Sequence, residues 1–173
     1  MRSILWVFVL SLGFVFGPAS EAKANHLNIV ETTIAVNAEG PYAGKFDTLI
    51  AAVIAADPVV LETLSGKGKF TVFAPTDDAF AALGLTPANV GTALGQETLT
   101  QILLYHVARG ERLAADVTSA KQIRSLQGTF FYPNKSATIT DALGRTSNII
   151  VGDVLASNGV IHAVDQVILP FAL

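Results

Sequence analysis

A chain of 173 residues, 51% hydrophobic and 14% charged, can bury the core of one domain and carries too little charge for a disordered chain. Its formal net charge of −3, without a cluster of Lys and Arg, argues against nucleic acid as the main partner. The absence of cysteine excludes disulfides, thiolate metal sites, cysteine nucleophiles and lipid attachment through a thiol.

Met1-Arg2 supplies a positive charge, and an apolar run follows from Ile4 to Phe16. Gly17-Pro18 breaks the run, and Ala22-Lys23-Ala24 has the small-x-small pattern of a cleavage site. This order predicts a secretory signal peptide over residues 1–24 and one domain over 25–173. The apolar run is short for a membrane anchor, and no later stretch is long and apolar enough to span a bilayer. The expected location is a periplasm, a cell-wall zone or the medium.

Asn28-x-x-Glu31 reads as a capping box opening a first helix, and Asn37 to Gly44 as a loop. Phe46, Leu49, Ile50, Val53 and Ile54 recur with helical spacing. Asp57-Pro58 stops that helix and starts another, which Gly66 closes. Lys69 to Ala74 is β-branched and aromatic and reads as a strand. Thr76 is then the expected cap of a helix with Asp77 and Asp78 in its first turn, where the N-terminal dipole favours carboxylates. Thr86-Pro87 repeats the cap-then-Pro pattern for a segment ending at Gly95.

Glu97 to Ala108 carries Leu99, Ile102, Leu103 and Val107 on one helical stripe. From Leu113 the period shortens. Segments around Ile123, Phe130-Phe131, Ile139 and Ile149-Ile150 alternate with turn residues and predict antiparallel strands. Gly159 to Pro170 is apolar on both alternating faces, as in a strand buried on both sides. Helices dominate the first half and strands the second, so the fold class is α+β.

Phe70 to Phe80, Phe-Thr-Val-Phe-Ala-Pro-Thr-Asp-Asp-Ala-Phe, resembles the first box of fasciclin domains. Asn158 to Pro170, Asn-Gly-Val-Ile-His-Ala-Val-Asp-Gln-Val-Ile-Leu-Pro, resembles the second, and Leu104-Tyr105-His106 the element between them. The resemblance covers Asn28 to Pro170 and implies a seven-stranded β-wedge with helices packed around it. It further implies a small, secreted, bacterial-type single domain that contacts a cell-surface or matrix component, protein or polysaccharide, without catalysis. By the same resemblance the contact residues are Asp153 with Val154 and Tyr105 with His106; Val154 stands where the family's pair has Ile. The alternative reading is a periplasmic binding module for a polysaccharide or a small apolar ligand. A monomer is expected, with weak self-association as a route to cell–cell contact.

The remaining polar residues have bland readings. His106 and His162 fit core histidines that donate to backbone carbonyls, and a zinc site would need a third protein ligand. Asp77 and Asp78 diverge by about 100° on a helix and do not converge on one point. No Gly-x-Ser-x-Gly elbow is present, and Gly66-Lys-Gly-Lys69 lacks the flanking residues of a phosphate loop. Asn134-Lys-Ser136 is read as a turn and a chance sequon. No cofactor, metal or catalytic residue is expected. Phe73 and Ile161 are expected in the core, and Asp153→Ala is expected to leave stability nearly unchanged.

Overall fold

The computed structural model describes residues 27–173; the expected signal peptide, its cleavage point and His26 lie outside them. Helix α1 (Ile29–Ala38) opens with the capping box: the Asn28 side chain accepts the Glu31 N–H at 3.0 Å, and the Glu31 carboxylate accepts the Asn28 N–H at 2.9 Å. Asn37 then organises the loop to α2 (Asp47–Ala55). Its side chain accepts the Phe46 N–H at 2.8 Å and donates to the Asp47 carboxylate at 2.7 Å. Asp57 caps α3 (Pro58–Ser65) by accepting the Val59 N–H at 2.9 Å, with Pro58 at the first position where no N–H is needed.

Strand β1 (Phe70–Pro75) and helix α4 (Asp77–Ala81) come next, then α5 (Val90–Leu94) and α6 (Gln96–Tyr105). The second half holds β2 (Val107–Arg109), α7 (Ala114–Ser119), β3 (Ile123–Arg124), β4 (Phe130–Pro133), β5 (Thr138–Thr140), β6 (Thr146–Ala156) and β7 (Gly159–Val164). The seven strands form one sheet in the order β2-β1-β7-β6-β5-β4-β3. β1 and β7 run parallel and every other pair antiparallel. An antiparallel bridge between Ala108 and Ser125, with the Leu126 N–H donating to the Val107 carbonyl at 2.7 Å, joins the two ends. The sheet is therefore a nearly closed wedge.

All six residues of β1 and all six of β7 are buried, as expected for strands covered on both faces. One face packs on the helices through Ile29, Leu49, Val60, Leu99 and Ile161. The other faces the interior of the wedge, where Phe73 meets Phe131 edge-on at a centroid distance of 5.1 Å, with Tyr105, Ile139 and Ile168 around them. Gly159 lies so close to β1 that a Cβ there would fall on the Phe70 carbonyl oxygen. Both Phe73 and Ile161 are in the core as expected.

Four local expectations are corrected. The helix expected to run to Ala108 ends at Tyr105, because Val107 to Arg109 pairs with β1 as a sheet strand. α5 begins at Val90 instead of behind Thr86-Pro87: the Asn89 side chain accepts the Thr86 N–H at 2.7 Å and closes a turn ahead of the helix. The helix α7 lies where only strands are expected; its first N–H, on Ala114, is satisfied at 2.7 Å by the distant Asp153 carboxylate. β7 stops at Val164, short of Pro170, as Asp165 turns its carboxylate to the Asn148 N–H at 2.7 Å. Among the described residues no single helix is long and apolar enough to cross a membrane.

Candidate functional site

Tyr105 and His106 stand where α6 hands over to β2, and both are buried. The Tyr105 hydroxyl donates to the Phe130 carbonyl at 2.9 Å and accepts the Ala142 N–H at 3.0 Å. Burial pushes its pKa up to about 12, so the phenol is neutral. His106 Nδ1 bonds the Ile102 carbonyl at 2.8 Å, and its Nε2 accepts the Ile168 N–H at 3.1 Å. That arrangement assigns the proton to Nδ1. Burial lowers the His106 pKa to about 4, so the ring is neutral as well. Neither residue presents a free polar atom.

Asp153 is exposed and sits in an irregular stretch of β6, where the pairing register with β7 shifts between Val151 and Val154. Its φ of 60° is left-handed, and its carboxylate is engaged by Ala114 as the cap of α7. The Asp153 N–H donates to His162 Nδ1 at 3.2 Å, and His162 Nε2 donates to the Arg112 carbonyl at 2.9 Å. Burial lowers the His162 pKa also. Val154 is half-buried and points back toward α1, beside Val36 and Tyr42. The structure thus leaves Asp153 at the surface of β6, turns Val154 inward, and keeps Tyr105 and His106 inside the fold.

Two carboxylates have partners that sequence reasoning missed. Asp77 reaches across to α2, accepting the Thr48 N–H at 2.7 Å and the Asp47 N–H at 3.3 Å; Thr76 makes no side-chain cap of its own helix. Asp141 is buried and accepts from the N–H groups of Leu143, Arg145 and Leu169, and from the Arg145 guanidinium at 2.8 Å. Every one of these bonds is structural. Among the described residues no cluster of three or more His, Asp or Glu is arranged to hold a metal ion.

What the fold does provide is a cavity of about 260 Å³ between α1, α2 and α3, floored by Val72 and Phe73 of β1. Ile34, Val53 and Ile54 stand in its wall, and Ile54 is 75% exposed. The helical stripes of α1 and α2 are readable in sequence. The gap between the helices is not, because it depends on how they are set against one another.

A model of the fasciclin domain matches residues 44–170. The chain belongs to the fasciclin domain family. Among fasciclin relatives, a Synechocystis protein named sll1483 is 47% identical over 132 residues, covering 72% of this chain and 67% of its own. The pig transforming growth factor-beta-induced protein ig-h3 is 32% identical over 126 residues, covering 73% of this chain and 18% of its own. A fasciclin domain pair from the insect cell adhesion molecule fasciclin I superposes with a TM-score of 0.53 at 20% identity. That match covers 68% of this chain and 42% of the insect chain, and it shows the shared fold.

Proposed function

We propose that this fasciclin domain is a secreted contact module that binds a cell-surface or matrix component, protein or polysaccharide, without catalysing a reaction. The observation that carries the reading is the outer ridge of β6. Ile150 and Leu155 are 50% and 43% exposed there, on either side of the exposed Gly152 and Asp153. Apolar side chains held at a surface beside a fixed carboxylate suit a partner with apolar and donor groups. The membership of an insect adhesion molecule in the same fold supports this use of the domain. Asp153 is the contact carboxylate in this reading, with Ile150 and Leu155 beside it; Val154 packs inward toward α1, and Tyr105 and His106 hold Phe130, Ala142 and Ile168 within the fold.

A producing strain deleted for the protein should attach less to a surface or a host cell. The wild-type gene should restore attachment. A gene carrying Ile150→Ser and Leu155→Ser, exported at the normal level, should fail to restore it. Unchanged attachment in the deleted strain sinks the reading.

The cavity beneath α1, α2 and α3 favours a second use, binding of a small apolar ligand, and it shares no residue with the β6 ridge. A polysaccharide is disfavoured in that space, because its many hydroxyls would find no side-chain donor and one side-chain acceptor, the Thr33 hydroxyl oxygen.

A further inference from the structure

Three exposed aliphatic residues ring the mouth of the cavity: Ile34 from α1, Ile54 from α2 and Leu61 from α3, at 48%, 75% and 41% exposure. An apolar rim leading into an apolar void is the arrangement of a ligand entrance, in contrast to aliphatic residues scattered singly over a surface.

The wall has no free side-chain hydrogen-bond donor to offer. Its two polar residues, Thr33 and His106, are both committed. The Thr33 hydroxyl donates to the Ile29 carbonyl at 2.8 Å, and both His106 nitrogens are occupied by Ile102 and Ile168. A polar group placed here would lose its bonds to water and find no side-chain donor in the lining, where the Thr33 hydroxyl oxygen is the one side-chain acceptor left. The part of the ligand that enters is therefore hydrocarbon.

Volume sets its length. A dry apolar cavity of roughly 150 Å³ takes a benzene ring, and by that proportion this one holds about ten carbon atoms. Charge sets the head group. Glu31, Asp47 and Glu62 are the charged residues of α1, α2 and α3, with no Lys or Arg among them. Glu31 and Glu62 stand within one turn of Ile34 and Leu61, and these three helices carry no cation to pair with a carboxylate or phosphate held at the mouth.

We propose that the cavity binds the hydrocarbon tail of an uncharged amphiphile, an alkyl or isoprenyl chain of about ten carbons whose hydroxyl or ester stays in solvent beside Ile54. The proposal rests on the second reading above and leaves the β6 ridge free for its own partner.

The test uses protein purified as the expressing cell exports it, with intact mass recorded. The uncharged dye N-phenyl-1-naphthylamine should brighten on binding, and 1-decanol should displace it. Decanoate, its charged counterpart, should compete about tenfold less well at neutral pH. Decanol at a tenfold excess over its Kd should raise Tm by about 4 °C. Val53→Trp fills the cavity and should weaken dye and decanol binding at least about tenfold while melting as a single cooperative transition. If that variant fails to fold, Ile54→Asp, at a position already in solvent, should weaken binding about fivefold.

No binding of dye or decanol overturns the site together with the apolar-ligand reading. Equal competition by decanoate keeps that reading and overturns the uncharged class. Undiminished binding by the folded variants overturns the cavity as the site.

Discussion

Oδ1 of Asp77, the first residue of α4, accepts the N–H of Thr48 in the first turn of α2 at 2.7 Å. A carboxylate thus caps a helix 29 positions upstream of itself. α2 has no cap of its own: Phe46 stands before it and makes no side-chain bond to it. Asp77→Ala should lower stability by about 1–2 kcal/mol, the cost of an N-cap lost at a buried N–H. The neighbouring Asp78 is exposed, and Asp78→Ala should change stability by no more than about 0.5 kcal/mol. Equal urea midpoints for the two variants would show that Asp77 caps nothing.

Phe73 is fully buried and bridges the sheet to the wedge interior through Phe131. Phe73→Ala should cost about 3–5 kcal/mol, and Ile161→Ala about 2–5 kcal/mol, by chemical denaturation. A cost under about 1 kcal/mol for Phe73→Ala would mean that the ring is not packed as described.

Acid should destabilise the fold before carboxylates are exhausted. Folded His106 has a pKa of about 4 against 6.5 for the free side chain. Between those values the unfolded chain takes up a proton that the folded chain refuses, so stability is full above pH 6.5 and falls as pH drops toward 4. The loss from this residue is about 3 kcal/mol, and His162, shifted down by burial, adds in the same direction. His106→Leu should be less stable at neutral pH, since the Ile168 N–H loses its acceptor, yet show a flatter pH dependence. The same slope in both proteins would contradict the assignment.

Asp153→Ala is not the neutral change that sequence leads one to expect. It removes the acceptor of the Ala114 N–H and places alanine at a φ of 60°. A loss of about 2 kcal/mol should follow, most of it recovered by Asp153→Asn, which keeps an acceptor oxygen and tolerates the left-handed backbone. Thermal melts of the pair measure this directly. An alanine variant as stable as the wild type would relieve Asp153 of its structural duty.

Asn28 with Glu31, and Asp57 with Pro58, are legible because a helix cap is completed within two or three residues of its origin. Strands β4 to β6 are legible because turns and β-branched runs alternate at short spacing. α7 is not: its six residues carry little apolar periodicity, and the acceptor of its first N–H arrives from β6. The strand character of Val107 is hidden for a similar reason, since a helical stripe and a three-residue strand share the same apolar letters and only β1 decides between them.

Sequence by itself determines the α+β class, most of the elements, the core positions of Phe73 and Ile161, and the family boxes. Those features depend on periodicity and on bonds between close neighbours. Tertiary structure alone decides that Tyr105 and His106 are interior supports, that Asp77 serves α2, and that three helices stand far enough apart to leave an apolar cavity. A void and a long-range acceptor are properties of how rigid elements are placed, and close packing of side chains from distant segments sets that placement.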